Sequence, residues 1–161
     1  MAVRKKITPF LWFDHQAEEA AQLYVSLFPQ SKILSVARYG EGGPGPAGSA
    51  MTVNFELAGQ EFIALNGGPM YKFTEAVSLM VDCEDQQEVD RLWNRLLADG
   101  GEESMCGWLK DRFGLSWQII PTVLSQLIGD PNPEKARRAT QAMLQMKKID
   151  IAALQRAHAG G

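Results

Sequence analysis

Two stretches of this chain carry the same pattern in the same order, and any fold has to accommodate both. Glu19-Ala20, Leu23-Tyr24 and Leu27-Phe28 match Glu88-Val89, Leu92-Trp93 and Leu96-Leu97 at an offset of 69. Further along, Gly59, Phe62 and Leu65 match Gly114, Trp117 and Ile120 at an offset of 55. Two amphipathic helices can align by chance, but a second match in the same order is harder to reach that way. Each copy reads as a strand, a helix and three strands, a βαβββ module. The change of offset falls across Gly40-Glu41-Gly42-Gly43-Pro44-Gly45-Pro46-Ala47-Gly48, which the second copy lacks. So much glycine and proline continues neither flanking strand, and the stretch reads as a mobile surface loop.

In the first copy Ile7–Phe13 is an apolar run that reads as a mostly buried strand, with Asp14 placed to cap the helix after it. Apolar residues recur at helical spacing from Ala17 to Phe28, and Pro29 closes the helix. Strands are expected over 32–39, 51–57 and 60–65, the last two joined by Ala58-Gly59. The second copy repeats this with a strand over 76–81 and a helix over 86–98 carrying Val89, Leu92, Trp93, Leu96 and Leu97 on one face. Gly100-Gly101 ends that helix. Strands follow over 102–110 and 115–120, around a turn at Asp111-Arg112-Phe113-Gly114. Beyond Pro121 the pattern is helical, with a start at Asp130-Pro131-Asn132-Pro133 and a helix over 136–146. Met143, Met146, Ile149, Ile151 and Leu154 form an apolar stripe that has to be covered, by the sheet or by a second subunit, and this motivates a homodimer. The expected architecture is α+β: one domain over 1–161, modules at about 3–69 and 70–121, and a helical extension over 122–161.

Charge and composition exclude several classes. With 16 lysines and arginines against 19 acidic residues, net −3, there is no basic field for a phosphate backbone, so no nucleic-acid partner is expected. No apolar run approaches the roughly 18 residues of a membrane span, and Arg4-Lys5-Lys6 leads into no signal core, so the chain reads as cytoplasmic. Cys83 and Cys106 are isolated and read as small buried hydrophobes of a reducing compartment. The glycine-rich loop has no helix directly behind it to receive a phosphate. His15, at a helix start, and His158, in what reads as a frayed C-terminus, lie 143 positions apart and suggest neither a triad nor a metal site.

Several motifs together resemble a known family. They are Phe10-Leu11-Trp12-Phe13-Asp14 with Ala17-Glu18-Glu19-Ala20, Ala64-Leu65-Asn66-Gly67-Gly68-Pro69, the run from Cys106-Gly107-Trp108 through Ser116-Trp117-Gln118, and Lys147-Lys148-Ile149-Asp150-Ile151. Over nearly the whole chain they look like the PhnB-like branch of the glyoxalase/bleomycin-resistance/dioxygenase superfamily, which carries the label 3-demethylubiquinone-9 3-methyltransferase. The resemblance implies the vicinal oxygen chelate fold: paired βαβββ modules, curved sheets enclosing a pocket, and frequent homodimers. In metal-using relatives four ligands stand at positions corresponding to Thr8, Ile63, Ala76 and Gln118. Here only Gln118, with Glu75 beside the third position, offers a ligand, so neither a metal nor another cofactor is expected. Methyl transfer from S-adenosylmethionine usually comes with a nucleotide-binding strand-loop-helix, and the sequence holds none, so the label is not taken as an activity.

Alternation puts Thr8, Phe10 and Trp12 on one face of the first strand, with Gln118 facing the same cavity. Trp108 and Lys110 share a face of the penultimate strand, and Lys110 is placed to pair with an anionic group. The expected site residues are therefore Thr8, Trp12, Asn66, Trp108, Lys110 and Gln118, around a pocket between the modules for a small aromatic or amphipathic ligand. The alternative is a metal-dependent lyase, isomerase or dioxygenase that completes its ligand set across a dimer or with unusual donors.

Overall fold

A computed structural model describes residues 5–161; Arg4 and the start of the first module at residue 3 lie outside the described residues. The chain divides into two units, Met1–Lys72 and Phe73–Gly161. In the first, β1 (Phe10–Phe13), α1 (Ala17–Leu27), β2 (Lys32–Arg38), β3 (Ala50–Leu57) and β4 (Gln60–Asn66) give a sheet of order β1-β4-β3-β2. The second repeats the connectivity with β5 (Ser78–Cys83), α2 (Gln86–Leu97), β6 (Glu102–Glu103), β7 (Trp108–Lys110) and β8 (Ser116–Pro121), in the order β5-β8-β7-β6. In both units the first strand pairs parallel with the last and the other pairs are antiparallel. The expected α+β fold of paired βαβββ modules with a helical extension is what forms.

Side-chain alternation explains the layers. Leu11, Phe13, Val53, Phe55, Phe62 and Ala64 are buried from the sheet, and α1 answers with Ala17, Ala20, Ala21, Tyr24 and Leu27. The Phe55 ring stacks on Phe62 at 5.5 Å between centroids and tilts against Tyr24 at 6.3 Å. Such pairs add about 0.5–1.5 kcal/mol each beyond area burial. Ala58 (φ 47°) and Gly59 (φ 86°) close the β3–β4 hairpin, since a two-residue turn that follows the strand twist needs positive φ at both positions. In the second unit Val89, Leu92, Trp93 and Leu96 of α2 are buried with Leu109, Trp117 and Ile119. Asp85 caps α2 by accepting from the Glu88 N–H (2.9 Å), and the Glu88 carboxylate accepts in return from the Glu84 N–H (3.0 Å).

Several local expectations are corrected. The first strand starts at Phe10 rather than Ile7, which is 83% exposed, because Pro9 has no N–H to continue the ladder. Asp14 does not cap α1; the Asn66 side chain does. The single strand expected over 102–110 is broken between β6 and β7, with Cys106 (φ 59°) and Gly107 (φ 86°) in left-handed conformation. Their N–H groups donate to the carbonyls of Met146 and Lys147, both at 2.8 Å, so the extension takes the hydrogen bonds of the break. Asp111, in what reads as a solvated turn, is 2% exposed. Its carboxylate accepts from the Phe113 N–H (2.9 Å), the Leu115 N–H (3.1 Å) and the Trp117 Nε1–H (2.9 Å).

The extension comprises α3 (Thr122–Ile128), α4 (Pro133–Leu144) and α5 (Ile151–Ala159). Asn132 caps α4 directly before Pro133, so this helix begins and ends earlier than its apolar spacing suggests. Leu124, Ile149 and Leu154 form a buried cluster against which Ile120, Met143 and Met146 pack. The Gln86 side chain clasps the segment between α4 and α5, donating to the Ile149 carbonyl (3.0 Å) and accepting from the Ile151 N–H (2.8 Å). His158 is not frayed: its Nε2 lies 2.8 Å from Asp130 Oδ2, and Arg138 donates to the carbonyls of Ala157 and His158. No helix among the described residues is long and apolar enough to cross a membrane.

Two predictions follow from this packing. Asp111→Ala leaves three donors without their acceptor and is expected to cost about 3 kcal/mol, read as a lower urea midpoint. Asp111→Asn is also expected to destabilise, because its amide cannot accept from both the backbone pair and the Trp117 indole. Burial, reinforced by Glu88 and Asp82, pushes the Cys83 thiol from its ordinary 9.0 up to about 12. The unfolded chain therefore loses this proton first, so stability is full below pH 9.0 and falls as pH rises toward 12. Urea titrations from pH 8 upward (to about 10.5) are expected to show that slope and to find it reduced in Cys83→Ala.

Candidate functional site

The side chains that build a concave surface in the first unit gather at the C-terminal ends of β1 and β4, around Asn66. Its Oδ1 accepts from the Ala17 N–H (2.8 Å), its Nδ2 donates to the Ala50 carbonyl (3.0 Å), and its own carbonyl accepts from the Tyr39 hydroxyl (2.6 Å). One residue thereby joins the end of β4, the start of α1, the start of β3 and the residue after β2. Trp12 pairs with Leu65 in the parallel ladder and, two positions from Phe10, points away from α1. Its Nε1–H donates to the Gly68 carbonyl (2.9 Å), and Tyr71 meets its ring edge-on at 5.0 Å.

Both aromatic side chains are held against glycine. A Cβ on Gly67 would stand 2.4 Å from Trp12 Cζ2, and one on Gly45 would stand 2.5 Å from the Tyr39 ring. Gly45 belongs to the glycine-proline loop, whose base is closed by the Tyr39 N–H to Ser49 carbonyl and Gly48 N–H to Tyr39 carbonyl bonds (2.9 and 2.8 Å). Trp12, Tyr39, Leu65 and Met51, with Pro44 and Pro46 of that loop, line a pocket of about 570 Å³. Asp14 and His15 also line it; His15 Nδ1 lies 3.5 Å from Asp14 Oδ2, and both side chains are more than half exposed.

Of the expected site residues, Trp12 and Asn66 meet here, Asn66 with its amide committed to the fold. Thr8 precedes β1, is half-buried and does not line this pocket. Trp108, Lys110 and Gln118 belong to the second unit, where register sets Trp108 opposite Gln118 and Lys110 opposite Ser116. All three alternate with residues that face α2, so they share the opposite face of that sheet. Gln118 Nε2 donates to Ser78 Oγ (2.9 Å). Lys110 forms an ion pair with Glu75. Their hydrogen bond, more than charge alone, holds Glu75 below the usual carboxylate range and raises Lys110. Ser116, cross-strand neighbour of both Lys110 and Ser78, is buried and its Oγ finds no partner among the described residues.

Sequence reasoning missed Tyr39, Ser78, Ser116 and the pocket-lining place of Asp14 and His15. A signal existed for Tyr39, the last large residue before the glycine-proline loop. The four positions that the resemblance assigns to metal ligands, Thr8, Ile63, Ala76 and Gln118, include two hydrocarbon side chains and do not fit a divalent ion. Glu75, beside the third of these positions, is engaged by Lys110. Among the described residues no three His, Cys, Asp or Glu side chains are grouped to hold a metal.

Comparison with known proteins adds to this geometry. The family model for 3-demethylubiquinone-9 3-methyltransferase matches residues 5–120. A PhnB protein from Bacillus cereus, described under the same methyltransferase name, is 41% identical with a TM-score of 0.69, over 73% of this chain and 100% of its own. Protein PA1353 from Pseudomonas aeruginosa is 22% identical with a TM-score of 0.60, over 73% of this chain and 98% of its own. The fosfomycin resistance protein FosX from Listeria monocytogenes is 13% identical with a TM-score of 0.50, over 77% and 98%. These last two show likeness of fold alone. No curated protein matches the chain.

The glycine contact makes the placement of Trp12 testable without removing the ring. Gly67→Ala is expected to displace the indole, break its bond to Gly68 and cost about 1–3 kcal/mol, the usual range for overpacking. The Trp12 Nε1–H resonance, assigned with Trp12→Phe, should move by more than the other indole signals. An unmoved resonance would mean that the backbone around Gly67, and not the ring, gives way.

Proposed function

The chain belongs to the 3-demethylubiquinone-9 3-methyltransferase family and is 41% identical to a PhnB protein, and on that premise we propose that it is a PhnB-like member of the glyoxalase/bleomycin-resistance/dioxygenase superfamily that binds a small aromatic molecule in the pocket of its first unit. The observation that carries this reading is the pair of aromatic side chains, Trp12 and Tyr39, each fixed by a hydrogen bond and by contact with a glycine, around about 570 Å³ of space. That volume suits a small ligand, and rigid aromatic walls with few polar groups favour a planar one. Fixing the rings before a ligand arrives lowers the entropy lost on binding. Leu65 and Met51 supply apolar contact, while Asn66 positions the walls rather than touching the ligand through its committed amide. Trp108, Lys110 and Gln118 share a face of the second unit's sheet, which is the competing location for such a ligand.

No reaction is taken from the family name. The glycine-rich loop runs from β2 into β3, so it lacks the helix N-terminus that a nucleotide phosphate requires. Ligand-observed NMR against a panel of soluble aromatic compounds tests the proposal. Binders are expected to lose at least about tenfold in affinity, about 1.4 kcal/mol, in Trp12→Ala. Binders insensitive to Trp12→Ala but lost in Trp108→Ala would move the site to the second unit and overturn the assignment.

A further inference from the structure

We infer that the pocket of the first unit selects organic cations, seating an ammonium group against the faces of Trp12 and Tyr39 with Asp14 as its counter-charge. This rests on the reading that the pocket binds a small molecule. It adds the charge of that molecule, which follows from the polar groups the pocket leaves unengaged.

Most side-chain donors of the lining are engaged inside the protein. The Tyr39 hydroxyl donates to the Asn66 carbonyl, the Trp12 indole to the Gly68 carbonyl, the Asn66 amide to the Ala50 carbonyl and the Ser49 hydroxyl to the Pro46 carbonyl. The backbone N–H groups of Gly67 and Gly68 donate to the carbonyls of Phe13 and Asp14. Among the described residues no lysine or arginine lines the pocket, and Asp14 is the one carboxylate there. Arg38, next to Tyr39 in sequence, is occupied by Glu18 at 3.2 Å and by the Gly48 carbonyl at 3.3 Å.

The N-terminus of α1, which would otherwise favour an anion, is also answered. Asn66 takes the Ala17 N–H, and Glu18 and Glu19 lie in the first turn. An anion entering this pocket therefore meets a carboxylate, and the side-chain donors left to it are the His15 ring and the second hydrogen of the Asn66 amide. A cation meets that carboxylate and the rings of Trp12 and Tyr39, and aromatic quadrupoles attract positive charge.

Three probes of similar size separate the possibilities: 4-(trimethylammonio)phenol, its uncharged isostere 4-tert-butylphenol, and 4-hydroxybenzoate. Each is titrated into the full chain while the Trp12 indole resonance and the Gly67 and Gly68 amides are followed. The ammonium compound is expected to bind at least about tenfold more tightly than its isostere, and Asp14→Asn to narrow that gap about threefold while leaving the isostere unchanged. Equal or tighter binding of the isostere or the carboxylate at Trp12 overturns cation selection while the pocket reading stands. A gap unchanged in Asp14→Asn overturns the role of that carboxylate. If none of the three moves the Trp12 resonance, the pocket reading falls with the inference.

Discussion

In each unit the last strand returns to lie parallel beside the first, and the placement of almost every other group depends on that pairing. Register sets Phe10 beside Ile63 and Phe13 beside Asn66. Because side chains alternate, this register puts Leu11 and Phe13 under α1 and turns Trp12 to the opposite face. A slip of one residue would bury Trp12 against the helix and expose Phe13, so the hydrophobic pattern that packs the core also delivers the pocket wall. Parallel strands end on the same edge, and α1 begins at that edge. The side chain at the end of β4 is therefore within reach of the first N–H of the helix.

The two copies share this topology but lock it differently. Asn66 is the β4 partner of Phe13, and Pro121 is the β8 partner of Cys83. Proline has no amide to offer, so α2 is capped from its own sequence by Asp85. Where the first copy turns away through Gly67 and Gly68, the second runs from Pro121 straight into α3. The same structural position thus serves the pocket in one unit and the extension in the other. Gln86, at the start of α2, then holds that extension through both atoms of its amide. The extension lies beyond residues 5–120, the span matched by the family model.

Most of the architecture was legible because it rests on periodicity. The two helices, the Ala58-Gly59 hairpin and the repeat itself follow from spacing within a few residues, and Trp12 followed from alternation. What was not legible depends on partners distant in sequence. Asn66 is expected from the sequence as a ligand-site residue, yet its amide oxygen accepts from Ala17, 49 positions away. Cys106 and Gly107 read as strand until the carbonyls of Met146 and Lys147 are brought to them. Asp111 is the instructive case, since Phe113, Leu115 and Trp117, which donate to its carboxylate, lie within six residues of it. A carboxylate in a turn reads as solvated by default, and only the inward orientation of Trp117 and Leu115 reveals that it is buried.

Charge is where the structure redirects the chemistry most. Lys110 is the residue that invites an anionic ligand when the sequence is read alone. Glu75 answers it: each partner stabilises the ionised form of the other, and the pair presents little net charge to a ligand. Glu75 is largely exposed and Lys110 half-buried, so the pairing determines local charge more than it contributes to stability. Asp14 is in the opposite situation. Read as a helix cap, it should have spent its oxygens on backbone N–H groups, but Asn66 has taken that task and leaves the carboxylate at the pocket with His15 beside it. The substitution of one capping group for another thus supplies the pocket with its negative charge, while the lysine that suggested the reverse is neutralised in the other unit.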